Sequence, residues 1–261
     1  MAEPNRYIVP ALERGLKVLQ LFSRNQVELS PPEIAKALKL PRTTVFRLTQ
    51  TLEGLGFLER SGSAFRLGPA VLRLGFEYLA SLELTEIARP VVERLRDATN
   101  CASQLLIRDG REVVVVLKAA SASMFASNVS VGTRFPAHAT ILGRILLCET
   151  PDEEIDRLFP ELHLKSYSQN TPKTTAELKA LLAEDRRRGY TLSEGFFERG
   201  ISAIAAPVRD QSGRIVAAVS LTLQRQSLEP KELRDSLIDQ VRAAAAEISL
   251  RLDYRPEKEA A

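Results

Sequence analysis

At 261 residues, with 44% hydrophobic and 26% charged side chains, the chain can form one large domain or two ordinary ones, and its composition excludes a disordered protein or a disulfide scaffold. The formal net charge is only +3, yet residues 1–82 carry 11 Lys/Arg against 7 Asp/Glu, while the remainder carries 25 against 26. The N-terminal excess points to an anionic partner or to a merely solvated basic face.

The opening "MAEPNRYIVP" lacks the apolar core and cleavage site of a signal peptide. "PALERGLKVLQLFS" places Leu12, Leu16, Leu19 and Phe22 at helical spacing, which predicts a first helix with that line buried. In "LSPPEIAKALKL", Ser30 is an N-cap, prolines enter the first turn and Glu33 completes a capping box. Pro41 then opens a third helix running to about Leu55, with glycines 54 and 56 at its exit. "GFLERSGSAFRL" reads as two short strands, Phe57–Arg60 and Ala64–Leu67, around a Ser-Gly-Ser turn. Helix, short helix, tight turn, helix and hairpin is the order of a winged helix-turn-helix. "PAVLRLGFEYLASL" is a further helix, apolar on two sides through Leu72, Phe76 and Leu79 and through Val71, Leu74 and Tyr78. Such a helix needs several neighbours or a partner subunit.

From Thr85 the pattern changes. "TEIARPVVERLRDATN" is helical, and "CASQLLIRDGREVVVVLKA" is a hairpin turning at Asp109-Gly110. "SMFASNVSVG" continues as a strand, followed by the helices "HATILGRILLC" and "TPDEEIDRLF", the second capped by Thr150 with Glu153. A helix runs from Thr174 to a stop at Gly189; "GISAIAAPVRD" and "RIVAAVSLTL" form another hairpin, and a long helix carries Leu233, Leu237, Val241, Ala244, Ile248 and Leu252. Helices mixed with antiparallel hairpins predict an α+β ligand-binding domain. The longest strongly apolar helix, "ATILGRILLC", is short and interrupted by Arg144, so no membrane span is expected. Cys101 and Cys148 lack CxxC spacing and read as buried thiols in a reducing, cytoplasmic setting.

The third helix can be phased residue by residue at about 100° per position. With Leu48 as origin, Val45, Leu52 and Leu55 form the buried stripe, and Thr44 packs beside it. Arg42, Thr43, Phe46, Arg47 and Gln50 fall on the outward face; Phe46 lies roughly 160° from Leu48 and cannot join the same core. Arginine and glutamine can bond guanine and adenine edges, and threonine and phenylalanine can meet phosphates or thymine methyls. The expected DNA-binding set is Ser30, Arg42, Thr43, Thr44, Phe46, Arg47 and Gln50, with Arg60, Ser61, Gly62, Ser63 and Arg66 from the wing. A helix-turn-helix that touches protein rather than DNA is the alternative.

No GxSxG, Walker A or HExxH motif is present, "GLGFLE" is not a dinucleotide loop, and the two histidines, His138 and His163, have no metal-ligand spacing with Cys148. His138 and Cys148 stand ten apart across a helix, so His138 is expected to cap or pack near a pocket mouth, with no catalysis, metal or cofactor.

"ERGLKVLQLF", "SPPEIAKALKLPRTTVFRLTQTLEGLGFLER" and "FRLGPAVLRLG" resemble the DNA-binding half of the IclR-type bacterial transcriptional regulators. "VGTRFPAHATILGRILL" and "RRRGYTLSEGFFERGISAIAAPVRDQSGRIVAAVSLTL" resemble their effector-binding half, and the likeness runs from about Ala11 to Tyr254. It implies a winged helix over residues 8–70, a linker helix over 71–83 and a GAF-like α/β effector-binding domain over 84–256. It also implies a dimer or tetramer that represses or activates at operator DNA under control of a small metabolite. By the family's pattern the pocket draws on Ile141, Leu142, Ser193, Glu194, Ala203, Ser220 and Thr222. Two physical points agree: the Ile141 helix N-terminus offers N–H groups to a carboxylate, and Ser220 and Thr222 share one strand face. Many members carry acidic residues where this chain has Gly195-Phe196, and some carry a polar or thiol side chain at Ala203. The pocket is therefore expected to be less polar, suited to an organic or aromatic acid rather than a very small keto acid.

Overall fold

The computed structural model describes residues 7–23, 26–80, 83–121, 129–194, 200–223 and 228–255. The chain divides into two compact units, Met1–Ser81 and Leu82–Ala261.

In the first unit, helices α1 (Pro10–Gln20), α2 (Pro31–Leu38) and α3 (Arg42–Gly54) precede the hairpin β1 (Leu58–Ser61) and β2 (Ala64–Leu67), then helix α4 (Ala70–Ala80). The capping box starts α2: the Ser30 N–H and Oγ–H both donate to Glu33 Oε2, at 2.7 and 2.6 Å. The hydroxyl holds the Glu33 carboxyl below its usual pKa. Helix α2 ends because Lys39 turns left-handed at φ 53°, and Leu40 N–H bonds back to the Ala35 carbonyl. Proline then opens the next helix: Pro41 is the N-cap of α3, with φ −57° and ψ 143°. These two local devices set the short turn between α2 and α3.

The core of this unit is Val18, Phe22, Leu29, Ile34, Val45, Leu58 and Phe65. The expected line on α1 needs correction. Leu12 and Leu16 are 62% and 52% exposed, and Val18 is the fully buried residue of the helix. Leu12 and Leu16 lie about 120° and 160° round the helix from Val18, so the face that meets α3 leaves them outside. Leu55 is likewise exposed: α3 ends at Gly54, and Leu55 is its C-cap.

The second unit has helix α5 (Glu83–Thr99), strands β3 (Ala102–Asp109), β4 (Glu112–Ala119) and β5 (Arg134–Pro136), and helices α6 (Ile141–Leu147), α7 (Asp152–Leu158) and α8 (Thr175–Arg188). Strands β6 (Thr191–Glu194), β7 (Ser202–Arg209) and β8 (Ile215–Leu223) and helix α9 (Lys231–Arg251) complete it. The sheet is antiparallel throughout, in the order β5-β4-β3-β8-β7-β6. Helices α5 and α9 contact each other and the sheet, while α6, with α7 and α8, packs with Leu106, Val115, Ala205 and Ala218. The architecture is a winged helix-turn-helix followed in the chain by an α/β domain with an antiparallel sheet.

Several local expectations shift. The β3–β4 loop is Gly110-Arg111, one residue later than the spacing suggests, because Asp109 pairs with Glu112 and Gly110 takes the first loop position at φ 59°. Thr150 does not cap α7; Pro151 is the N-cap, and Asp152, Glu153 and Glu154 crowd the first turn, where the helix dipole favours them. Helix α8 starts and stops as expected: Thr174 Oγ1 accepts from Glu177 N–H, and Gly189 closes the helix at φ 70°. The strand expected over residues 123–132 falls partly on 122–128, outside the described residues, and Val129–Gly132 is not strand. Phe76, Tyr78 and Leu79 of α4 lie where side chains are outside the described residues; Leu72 and Leu74 are exposed.

Arg144 does not interrupt α6. Its guanidinium donates to both oxygens of Asp185, at 2.7 and 2.9 Å, with 7% and 1% of the two side chains exposed. A buried charge is tolerable when its partner is bidentate and equally buried, so the pair pins α6 to α8.

Candidate DNA-reading face and effector site

Helix α3 buries Val45 and Thr49 and half-buries Thr44, Leu48 and Leu52. Arg42, Thr43, Phe46, Arg47 and Gln50 face outward, and Phe46 is 58% exposed. Thr49 is buried as well, four residues after Val45 and about 40° round the helix from it. Its hydroxyl is satisfied within the helix, donating to the Phe46 carbonyl at 3.1 Å. That bond removes the cost of burying a polar atom there.

Ser30 stands at the start of α2, engaged with Glu33. On the wing, Arg60 donates to Glu53 at 3.0 and 3.2 Å and stacks over the Phe65 ring at 4.8 Å. Glu53 also accepts from Gln50 Nε2 at 2.8 Å, so one carboxylate, missed in the sequence, holds a side chain of α3 and one of the wing. Arg66 pairs with Glu59, and Ser61 Oγ donates to Glu28 at 2.7 Å. Gly62 and Ser63 form the exposed tip, Gly62 with φ 58°. Among the described residues, Arg42 and Arg47 have no ion-pair or hydrogen-bond partner for their side chains. Both stand in the N-terminal half of α3, flanking the exposed Phe46.

Phe46→Ala is expected to alter base preference and leave stability within about 0.5 kcal/mol, because an exposed ring stabilises little and alanine is the better helix former. Thermal unfolding together with selection from a random-sequence DNA pool checks this. Loss of folding would show that Phe46 packs inward.

In the second unit, strand register gathers most of the expected effector residues. Ser193 is the Cα partner of Ala203, Ala203 of Thr222, and Ala205 of Ser220. Paired residues share a sheet face, so Ser193, Ala203, Ser220 and Thr222 lie with Ala205 on the side packed by α6. Ile141 and Leu142 are buried against that same cluster. Glu194 departs from the group. As Ser193's neighbour it belongs to the opposite face, and its Oε1 accepts from the Leu228 N–H at 2.6 Å. Gly195 and Phe196 lie outside the described residues.

Two details of this face emerge only in the folded chain. Ser220 Oγ is fully buried with no hydrogen-bond partner among the described residues, whereas buried hydroxyls are nearly always paired. Gln104, buried on β3 and paired in register with Ser220, donates from Nε2 to Thr222 Oγ1 at 3.5 Å. A polar residue inside the apolar strand "ASQLLI" was the available signal.

The expected open helix N-terminus is already partly used. Thr140 caps α6, its Oγ1 accepting from Gly143 N–H at 3.2 Å. His138, just before it, donates from Nε2 to the Lys165 carbonyl at 2.9 Å and packs against Phe159 and Tyr167. Burial holds its pKa below the usual value, so the neutral ring is the favoured form. Burial likewise pushes the Cys148 thiol up to about 12, which makes it a poor nucleophile. No group of three metal-ligating side chains occurs among the described residues, and no helix there is long and apolar enough to cross a membrane. A groove of about 700 Å³ runs between α9 and β7, lined by Ala206, Arg209 and Ala246 among others. It lies on the other side of the sheet, and its Arg209 is engaged by Glu149 and the Gly213 carbonyl.

A winged helix with an arginine-flanked outward helix, followed by a domain with a polar patch buried in its sheet, is the build of a ligand-responsive transcriptional regulator. The chain belongs to the IclR family of such bacterial regulators: residues 11–62 match the IclR helix-turn-helix domain, and residues 76–250 match the bacterial transcriptional regulator IclR C-terminal domain. The Pca regulon regulatory protein of Pseudomonas putida is 29% identical over 239 residues, covering 91% of this chain and 82% of that protein. The crystal structure of an IclR transcriptional regulator from Alicyclobacillus acidocaldarius is 26% identical with a TM-score of 0.82, covering 94% of this chain and 100% of that one. An IclR homolog from Microbacterium hydrocarbonoxydans, crystallised with 4-hydroxybenzoate, is 25% identical with a TM-score of 0.79, covering 93% and 98%. The Pseudomonas and Alicyclobacillus relatives are named as regulators, and the family is non-enzymatic.

Proposed function

We propose that this protein binds operator DNA through α3 and the wing and that an organic or aromatic acid, bound in the second unit, modulates that binding. The observation that carries the DNA half is the outward face of α3, with Arg42 and Arg47 bare of partners among the described residues on either side of an exposed Phe46. The bases are read by Arg42, Thr43, Phe46, Arg47 and Gln50, with Thr44, Ser30 and the wing residues Arg60, Ser61, Gly62, Ser63 and Arg66 on the flanking backbone. The functional borders are 8–70, 71–83 and 84–256.

The effector set is Ile141, Leu142, Ser193, Ala203, Ser220 and Thr222, with Glu194 acting through the backbone at Leu228. The 4-hydroxybenzoate bound by the Microbacterium relative supports an aromatic acid as ligand class. The protein acts as a cytoplasmic homodimer or homotetramer, which places two α3 helices in successive major grooves. Exposed Leu72 and Leu74 on α4 support pairing with a second copy. The effector shifts the population between two arrangements of that linker.

A mobility-shift titration on the operator tests the reading. Affinity should fall at least about 10³-fold between roughly 50 and 200 mM salt, as expected when several phosphates are neutralised. A flat salt response would favour a protein-binding helix-turn-helix instead.

A further inference from the structure

We infer that Gln104 is a specificity-determining residue of the effector site, reading a hydroxyl or carbonyl oxygen on the body of an acidic ligand. The inference rests on the proposal that the α6-side face of the sheet is the effector site. Across the three central strands, Lys118, Gln104 and Ser220 are side by side in register, each the Cα partner of the next. The row therefore presents a cation, an amide and a hydroxyl in sequence on one face.

The chemistry of each member is distinct. The Gln104 amide can both donate and accept, as a ligand hydroxyl requires. Its contact to Thr222 Oγ1, at 3.5 Å, is at the long limit of a hydrogen bond and is readily given up. Beside it, the buried Ser220 hydroxyl has no partner among the described residues, and a polar atom in that state is stabilised by any ligand atom that bonds it. A ligand hydroxyl uses both the donor and the acceptor of the Gln104 amide, whereas a carboxylate, which only accepts, leaves the amide oxygen unused. The positive charge in the row belongs to Lys118, whose ammonium also donates to the Val129 carbonyl. The ligand class that fits is a hydroxy- or oxo-substituted carboxylic acid, with its acid end toward Lys118 and its oxygen substituent at Gln104 and Ser220.

The test uses the full chain and matched pairs: benzoate against its 2-, 3- and 4-hydroxy derivatives, and butyrate against 3-hydroxybutyrate, measured by calorimetric titration. At least one hydroxy acid should bind about tenfold more tightly than its parent. Gln104→Met, which keeps length and volume, should bring that ratio to within about twofold, chiefly through lost affinity for the hydroxy acid. Ser220→Ala should shift the ratio in the same direction. Absence of any hydroxyl preference in the wild type, its persistence in Gln104→Met, or equal loss of both pair members would each overturn the inference. Ala203→Leu separates this from the reading beneath it. Filling the face should abolish binding of both members, and unchanged binding there would show that the effector site itself lies elsewhere.

Discussion

Arg47→Ala is expected to weaken operator binding by about 10- to 100-fold at fixed salt and to leave the thermal unfolding midpoint of the protein unchanged. The magnitude follows from the removal of one bidentate hydrogen-bonded pair with a base, about 1–3 kcal/mol. The unchanged stability follows from the structure: Arg47 is exposed, its guanidinium has no partner among the described residues, and the bond its carbonyl accepts from Thr51 Oγ1 at 2.9 Å is kept in alanine. Arg66→Ala is the contrast. That guanidinium is already paired with Glu59 at 2.9 Å, so a phosphate must compete for it, and the loss should be smaller. The two variants also differ in kind. If Arg66 binds phosphate as proposed, its deletion should weaken all sequences alike and lower the salt slope by about 1, whereas Arg47→Ala should relax preference at particular base pairs. Operator affinity unchanged in Arg47→Ala would mean that α3 reads DNA with another face. Competitive titration against base-substituted operators makes the distinction.

Gly143→Ala is expected to destabilise the second unit by at least about 3 kcal/mol, beyond the usual range for an added methyl group in a core. A β-carbon at this position would stand 2.1 Å from the Ala137 carbonyl oxygen and 2.2 Å from the Ala137 Cα. Both are backbone atoms, and the segment that holds them cannot retreat cheaply. Ala137 N–H bonds the Arg111 carbonyl at 2.9 Å, and Thr140, which caps α6, also donates to the Pro136 carbonyl at 3.2 Å. The glycine lets the chain fold back onto the first turn of α6, which presses Ile141 and Leu142 against the sheet. For a unit of this size the loss corresponds to a fall of roughly 6–12 °C in the calorimetric midpoint. Gly75→Ala is the control: nothing lies within 4 Å of its β-carbon, so a helical alanine there should be neutral or stabilising by up to about 1 kcal/mol. Equal midpoints for wild type and Gly143→Ala would show that the turn before α6 is free to move.

The phase of α3 is readable from the sequence because it depends on one helix and one period. Val45 and Leu48 face in, Phe46 and Arg47 face out, and a wrong register would have put a phenylalanine and an arginine in the core. The caps at Ser30, Thr174 and Gly189 are readable for the same reason: each acts within four residues of itself. Helix α1 shows the limit. Its leucines satisfy the period, but the period does not say which side another helix will cover, and packing with the rest of the core selected Val18 over Leu12 and Leu16.

The proposed effector face divides along the same line. Alternation within β8 places Ser220 and Thr222 together from sequence alone, and alternation within β6 separates Glu194 from Ser193 by the same rule. Gln104 joins Ser220 only because β3 pairs with β8, a strand 118 residues away at the Gln104–Thr222 contact. The acid that pairs with Arg144 is likewise remote, 41 residues on in α8. Local periodicity, capping and turn chemistry thus determined from the sequence which faces of the helices and strands could act. Only the tertiary structure decided which of those faces meet, because strand pairing and buried charge pairing join residues whose separation along the chain carries no signal that they will touch.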